Sequence, residues 1–337
     1  MMGRNMSKLK IVVVGLGKQS IKDHIPAILR RDDAEIVSVV DIDSNRSKEV
    51  GNSLGVGYFT DAKEAITTTN PDAAVVCVPH HAYLEVLELL AKNQIATLKE
   101  KPLALNAAEA NYITNLYKSN DAYLQVCVQR RFSKLYDTTK QLMGEIGTVY
   151  SVYIEYTLNL TAEDMVSGWR ADKKYSGGGA TIDMGYHIID LLTYLFGVPE
   201  RLYAQLNYNS IGDGYTIDDT MKALMTFDKT INANIVITKI FNQKNEKIRI
   251  FGDRGSVSLD GRNVTLFDNN KNEMEAYTFN SKDEEVDRQL DFFIKNHRTK
   301  QTDDSFLKDQ LSNTVIIDSI YKSHAEKMVI APGEVVI

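Results

Sequence analysis

The stretch SGGGATIDMGYHIIDLLTYLFG, residues 176–197, sets two acids and one histidine into an otherwise apolar run. At about 100° per residue, Asp183, His187, Asp190 and Tyr194 fall within one stripe of a helix, while Ile182, Ile189, Leu192 and Phe196 lie elsewhere. Gly177 to Gly179 let a loop approach the helix start, and Gly197 suits the position just past its end. A solvated face or a hydrogen-bonded core histidine would explain such a stripe. A carboxylate and an imidazole one turn apart would also serve to move a proton near neutrality.

Two further motifs bear on that choice. In KIVVVGLGKQSIKDHIPAILRR, Gly15 and Gly17 follow a strand and precede a helix, and EIVSVVD ends the next strand at Asp41. Glycine turns the chain, backbone approaches a pyrophosphate, and the helix N-terminus supplies partial positive charge. Gly15, Gly17, Lys18, Gln19 and Ser20 are therefore candidate cofactor contacts, with Ser20 at the third position where glycine is usual. Asp41 would accept hydrogen bonds from the adenosine ribose and disfavour a 2′-phosphate, so NAD is expected. Arg46, a few residues on, leaves NADP open. In LKEKPLALN, residues 98–106, Lys101 follows another parallel strand, where ligands bind in open α/β sheets. Pro102 fixes the backbone behind it, with a cis bond open.

The elements that must position these groups read as two kinds of texture. From residue 10 to about 128, short β-branched runs alternate with helical segments at 18–31, 43–54, 83–93 and 106–120, which predicts a doubly wound parallel sheet. Beyond Arg130 the runs lengthen and alternate with period two, as in TVYSVYIEYTLN, RLYAQLNYN and INANIVITKI, with turns at 227–230 and 252–255. That predicts a large, mostly antiparallel open sheet, with helices at 180–196, 284–297 and 304–326 covering one face. The expected division is 1–129, the doubly wound α/β domain, and 130–337, a domain built on the second sheet whose C-terminal helices are free to pack back on the first.

At 337 residues, with 43% hydrophobic and 25% charged residues, the chain suits a folded protein of about two domains. A net charge of −6 excludes the basic footprint of a nucleic-acid binder. No apolar run nears the roughly 18 residues of a membrane helix, and MMGRNMSKLK lacks an export signal, so a cytoplasmic location is expected. Cys77 and Cys127 lie in β-type apolar runs and read as inert thiols. His80 and His81 would point to opposite faces of a strand, so no shared metal is expected; His24 reads as packing or surface.

Together these motifs resemble the Gfo/Idh/MocA family of oxidoreductases: the fingerprint, then E-K-P as Glu100, Lys101 and Pro102, then G-G-G-x-x-x-D-M-G-x-H-x-x-D as Gly177 through Asp190. The resemblance implies an NAD(P)-dependent dehydrogenase in which Lys101, Asp183 and His187 match the catalytic lysine, aspartate and histidine. It also implies that Pro79, His80 and Glu100 lie beside the nicotinamide and its ribose, with Arg131, Trp169 and Arg170 as weaker contacts. A Rossmann domain over 1–129 and a C-terminal α/β substrate and oligomerisation domain over 130–337, forming homodimers or tetramers through the second sheet, are implied too. His187 is then expected as general base, and Lys101 as the stabiliser of a developing alkoxide. Asp183 orients His187 or binds a substrate hydroxyl, and Asp190 and Tyr194 are structural. The expected substrate is a sugar or cyclic polyol; an NAD-dependent glycoside hydrolase and a non-catalytic nucleotide-binding regulator are the alternatives.

Overall fold

The computed structural model describes residues 7–279, 283–300 and 304–333; MMGRNM, on which the export argument rests, lies outside the described residues. The first sheet holds β1 (Leu9–Val14), β2 (Ala34–Val40), β3 (Gly57–Phe59), β4 (Ala73–Val76), β5 (Ala96–Glu100) and β6 (Leu124–Cys127), in the order β3-β2-β1-β4-β5-β6. Every pairing is parallel, as in Ile11↔Ala73 between β1 and β4. The strands are apolar because helices cover both faces. Val13, Val75 and Leu98 belong to one buried cluster, while Val12, Val14, Ala74 and Val76 face another. The strand order reverses between β1 and β4, which opens a crevice at their C-terminal ends. The three-residue β3 carries too little pattern to be read from sequence.

The second sheet holds β7 (Val149–Asn159), β8 (Arg201–Tyr208), β9 (Asp218–Phe227), β10 (Ile231–Thr238), β11 (Ile240–Gly252), β12 (Gly255–Asp260), β13 (Asn263–Asp268) and β14 (Glu273–Thr278). Its order is β14-β13-β12-β11-β7-β10-β9-β8, antiparallel except for the β7–β10 pair. Alternation sets its inner face: Ala233, Ile235 and Ile237 of β10 are buried, whereas Asn232 and Asn234 point out. β14 was not anticipated, and it is exposed at every position, so no burial pattern marks it.

Helix Gly185–Phe196 and the last helix, Asp304–Glu326, cover the inner face: Ile188, Leu192, Ile316 and Ile320 join Ile154, Met221 and Ile235 in one core. The helix Asp283–Thr299 does not. Its apolar positions Val286, Leu290, Phe293 and Ile294 pack instead against Ile25 and Ile28 in the first sheet's core. Ion pairs Arg30–Asp287 (2.6 Å) and Arg298–Asp33 (2.7 Å) flank that contact. A helix Lys134–Met143, capped by Ser133, fills the stretch read as a domain boundary. Among the described residues no helix is long and apolar enough to cross a membrane.

The helix after the three glycines begins with a π turn, Ala180–Met184, before α geometry takes over. The wider turn rotates Asp183 relative to the single stripe expected at 100° per residue. Its opening N–H groups lack intrahelical partners, and β9 supplies one from across the fold. The fully buried Asp218 carboxylate accepts from Gly179 N–H, Thr181 N–H and Thr181 Oγ1, each at 2.7 Å, and from Tyr321 Oη at 2.8 Å. A Cβ on Gly179 would collide with the Asp218 backbone carbonyl. Gly179→Ala is expected to destabilise the protein by about 3 kcal/mol or more, measured by urea denaturation.

Candidate active site

The crevice between β1 and β4 is built for close backbone approach. Gly15 has φ +87°, and a Cβ there would stand 2.6 Å from the Cys77 carbonyl oxygen, so only glycine fits. At Gly17 a Cβ would meet nothing within 4 Å, which leaves open space before the helix. Ser20 is fully buried and donates its hydroxyl to the Gly15 carbonyl, tying the helix to the turn. The half-buried Asp41 accepts from Leu16 N–H at 2.7 Å and from Asp43 N–H at 3.0 Å, so its carboxylate is fixed at the mouth of the same turn. Lys18 and Arg46 are exposed, and Gln19 is half-buried, donating to Asp23. These residues fit a dinucleotide: a glycine turn, an open approach and an oriented acid.

At the end of β5 the Lys101–Pro102 bond is cis. The turn is pinned by Lys99, which sequence reading passed over although it interrupts the apolar run IATLKE. Its ammonium is 2% exposed, donates to the carbonyls of Glu100 (2.9 Å) and Pro102, and lies 3.8 Å from the centre of the Tyr83 ring. Burial pushes its pKa down to about 7. Tyr186, on the helix after the glycines, accepts from Leu103 N–H at 3.3 Å and donates to Gln310.

Lys101 then crosses to the second half of the chain. Its ammonium donates to the Asp183 carboxylate and to the Asp183 main-chain carbonyl, both at 2.8 Å. The other carboxylate oxygen accepts from Lys239 Nζ at 2.9 Å. Burial would raise the Asp183 pKa, but Lys101 and Lys239 overcome it and hold the carboxyl well below its usual range. Asp183 is thus an anion shared by two lysines. His187 is half-buried, four residues on, about 6 Å along the helix. Lys239 had no signal beyond a lone lysine after the apolar run NIVIT.

His80 and His81 are not on a strand. They sit in a short 3₁₀ turn, His80–Ala82, because the chain must leave the end of β4 through Pro79. Both rings meet Trp169, with centroids at 4.8 and 6.4 Å, and His80 Nδ1 donates to the Ser176 carbonyl at 2.7 Å. The loop before the glycines is therefore docked on the first half. Arg170 is exposed, stacked 4.3 Å from the Trp169 ring. His24 is buried and bonds Glu100 at 2.8 Å, with the Cys127 sulfur 3.9 Å from the same nitrogen. Burial pushes that thiol up to about 12, so it stays protonated.

Arg131, considered above as a ligand contact, is committed elsewhere. Its guanidinium bonds both oxygens of Asp190 at 2.9 Å and Asp309 at 2.7 Å, and its side chain is 7% exposed. Gln310 and Asn313 each donate to Asp190 at 2.8 Å. The helix stripe therefore divides: Asp183 faces the two lysines, and Asp190 anchors the helix.

Residues 9–128 match the family described as an oxidoreductase family with an NAD-binding Rossmann fold, and residues 138–258 match the GFO/IDH/MocA C-terminal domain. The chain is 25% identical to the myo-inositol 2-dehydrogenase of Thermotoga maritima, over 89% of this chain and 86% of that protein. It is 28% identical to a candidate UDP-kanosamine synthase oxidoreductase subunit of Amycolatopsis mediterranei, over 56% of this chain and about half (52%) of that relative. The fold is similar to that of the WlbA dehydrogenase of Bordetella pertussis, solved with NADH and UDP-GlcNAcA: TM-score 0.83, 21% identity, 96% of this chain and 98% of that one.

Burial, reinforced by the Lys101 and Lys99 charges, brings the His80 pKa down to about 3, against the opposing pull of the Ser176 carbonyl. The unfolded chain then binds the extra proton first, so stability falls as pH drops from about 6.5 toward 3. Between pH 7.5 and 4.5 the wild type is expected to lose roughly 2–3 kcal/mol more than His80→Asn, read from urea midpoints at the two pH values.

Proposed function

The chain belongs to the Gfo/Idh/MocA family of oxidoreductases, and from that premise we propose that it oxidises a ring hydroxyl of a sugar, sugar derivative or cyclic polyol. The observation that carries this reading is the Lys101 ammonium held on Asp183 one turn before His187, at the C-terminal end of β5 where ligands of such sheets bind. The names of the relatives, an inositol dehydrogenase and a UDP-kanosamine synthase subunit, support a sugar or polyol.

Gly15, Gly17, Lys18, Gln19 and Ser20 would hold the pyrophosphate of NAD, Asp41 the adenosine ribose with Arg46 nearby, and Pro79, His80 and Glu100 the nicotinamide end. Trp169 and Arg170 would close the loop side. When bound, the nicotinamide ring supplies the hydride acceptor. His187 takes the hydroxyl proton as general base, and Lys101 stabilises negative charge growing on the oxygen. At about 4 Å and an effective dielectric near 20, one ammonium contributes roughly 4 kcal/mol to that stabilisation. The neutral His80 keeps a second titratable proton out of the site.

The outer face of the second sheet is proposed as the oligomer interface. Leu224 on β9 is 59% exposed there, and neighbouring strands present Tyr153, Tyr203 and Phe251.

With NAD and a panel of inositols, monosaccharides, amino sugars and nucleotide sugars, the purified protein is expected to form NADH with at least one member. Lys101→Met and His187→Ala should each lower kcat by roughly 10²–10⁴-fold while NAD binding remains measurable; turnover retained in both variants overturns the assignment. Size-exclusion chromatography should give a dimer or tetramer that Leu224→Asp shifts toward the monomer, and a wild-type monomer at micromolar concentration would refute the interface.

A further inference from the structure

Lys239 occupies the single-residue joint between β10 and β11. Its backbone is fixed on both sides: its N–H donates to the Asp219 carbonyl at 2.9 Å, and its carbonyl accepts from Leu160 N–H at 2.9 Å. The side chain runs inward, 3% exposed, to end on Asp183. A buried ammonium requires a counter-charge, and this one shares its counter-charge with Lys101. Among the described residues no other carboxylate bonds either ammonium. The sum decides what the site presents. Lys101 with Asp183 alone is neutral, and an ionised Asp183 would cancel most of the help Lys101 offers a developing alkoxide. Among these three groups Lys239 restores one net positive charge without itself needing to touch substrate, and the exposed Arg170 acts on Asp183 in the same sense.

We infer that Lys239 is a positioning residue that, acting through Asp183, gives the site a net positive charge and thereby favours the reduced cofactor over the oxidised one. The physical reason is the charge on the nicotinamide: the oxidised ring is a cation and the reduced ring is neutral, so a fixed positive charge nearby penalises the first. With the reduced ring held more tightly than the oxidised one, the equilibrium of hydride transfer on the protein is shifted toward alcohol oxidation. The inference rests on the dehydrogenase reading, but its readout is binding.

The test is the ratio of the NAD⁺ and NADH dissociation constants, Kd(NAD⁺)/Kd(NADH), measured on the full chain by calorimetry and by NADH fluorescence at one pH. Lys239→Met is expected to lower the ratio about tenfold, and Lys239→Arg to keep it within about twofold. Asp183→Asn, which removes the negative charge, should move the ratio upward. A merely structural loss weakens both forms together and leaves the ratio where it was. An unchanged ratio in Lys239→Met, or a shift in the same direction in Lys239→Met and Asp183→Asn, overturns the inference. If Lys239→Met does not fold, Lys239→Gln takes its place under the same two criteria: a lowered ratio supports the inference and an unchanged ratio refutes it. Turnover with the polyol panel fails or succeeds separately, so loss of the enzymatic reading and loss of the Lys239 role are told apart.

Discussion

One carboxylate between two ammonium groups organises this protein. Asp183 meets Lys101 from the end of a parallel strand and Lys239 from the joint of two strands in the other sheet, all three half-buried or buried. Charges removed from water are tolerated only when paired in good geometry, so the pairing demands that two sheets and one helix be held in a fixed relation. Much of the surrounding polar structure serves that demand.

Three anchors hold the helix that carries Asp183. Asp218 closes its N-terminal donors from β9, Tyr186 ties it to the turn after Lys101, and Arg131 grips Asp190 from the short turn that follows β6. The π turn at its start places Asp183 where neither a straight α-helix nor a loop would. A second π turn, Ser20–His24, opens the helix at the nucleotide crevice, and His24 there bonds Glu100 beside Lys101. Both ends of the site are thus built on widened helical turns locked by buried hydrogen bonds. Lys99 adds a further lock, since its ammonium satisfies two carbonyls of the turn from beneath.

The fold was legible where periodicity was strong. Continuous β-branched runs and long alternating strands marked the two sheets, and the Gly15, Glu100–Pro102 and Gly177–Asp190 motifs marked the candidate site. What escaped has a physical explanation in each case. β3 is too short for a pattern, and β14 is exposed on both faces. The helix Lys134–Met143 buries Leu135, Tyr136 and Leu142 but lies where the texture changes, so its spacing was masked. Arg131 carries the charge of a ligand contact, and only its neighbours Asp190 and Asp309 reveal that it is an internal clamp.

By itself the sequence determined which local structures form and which short motifs gather polar groups, because side-chain period, β-branching and glycine freedom act over a few residues. Only the tertiary structure decided who pairs with whom: Asp183 with Lys101 and Lys239, Asp218 with the helix start, His24 with Glu100. Coulombic and hydrogen-bond energies depend on distance in space, and residues 39 to 82 positions apart in sequence, as Gly179 and Asp218 or Lys101 and Asp183 are, become neighbours only after the sheets close.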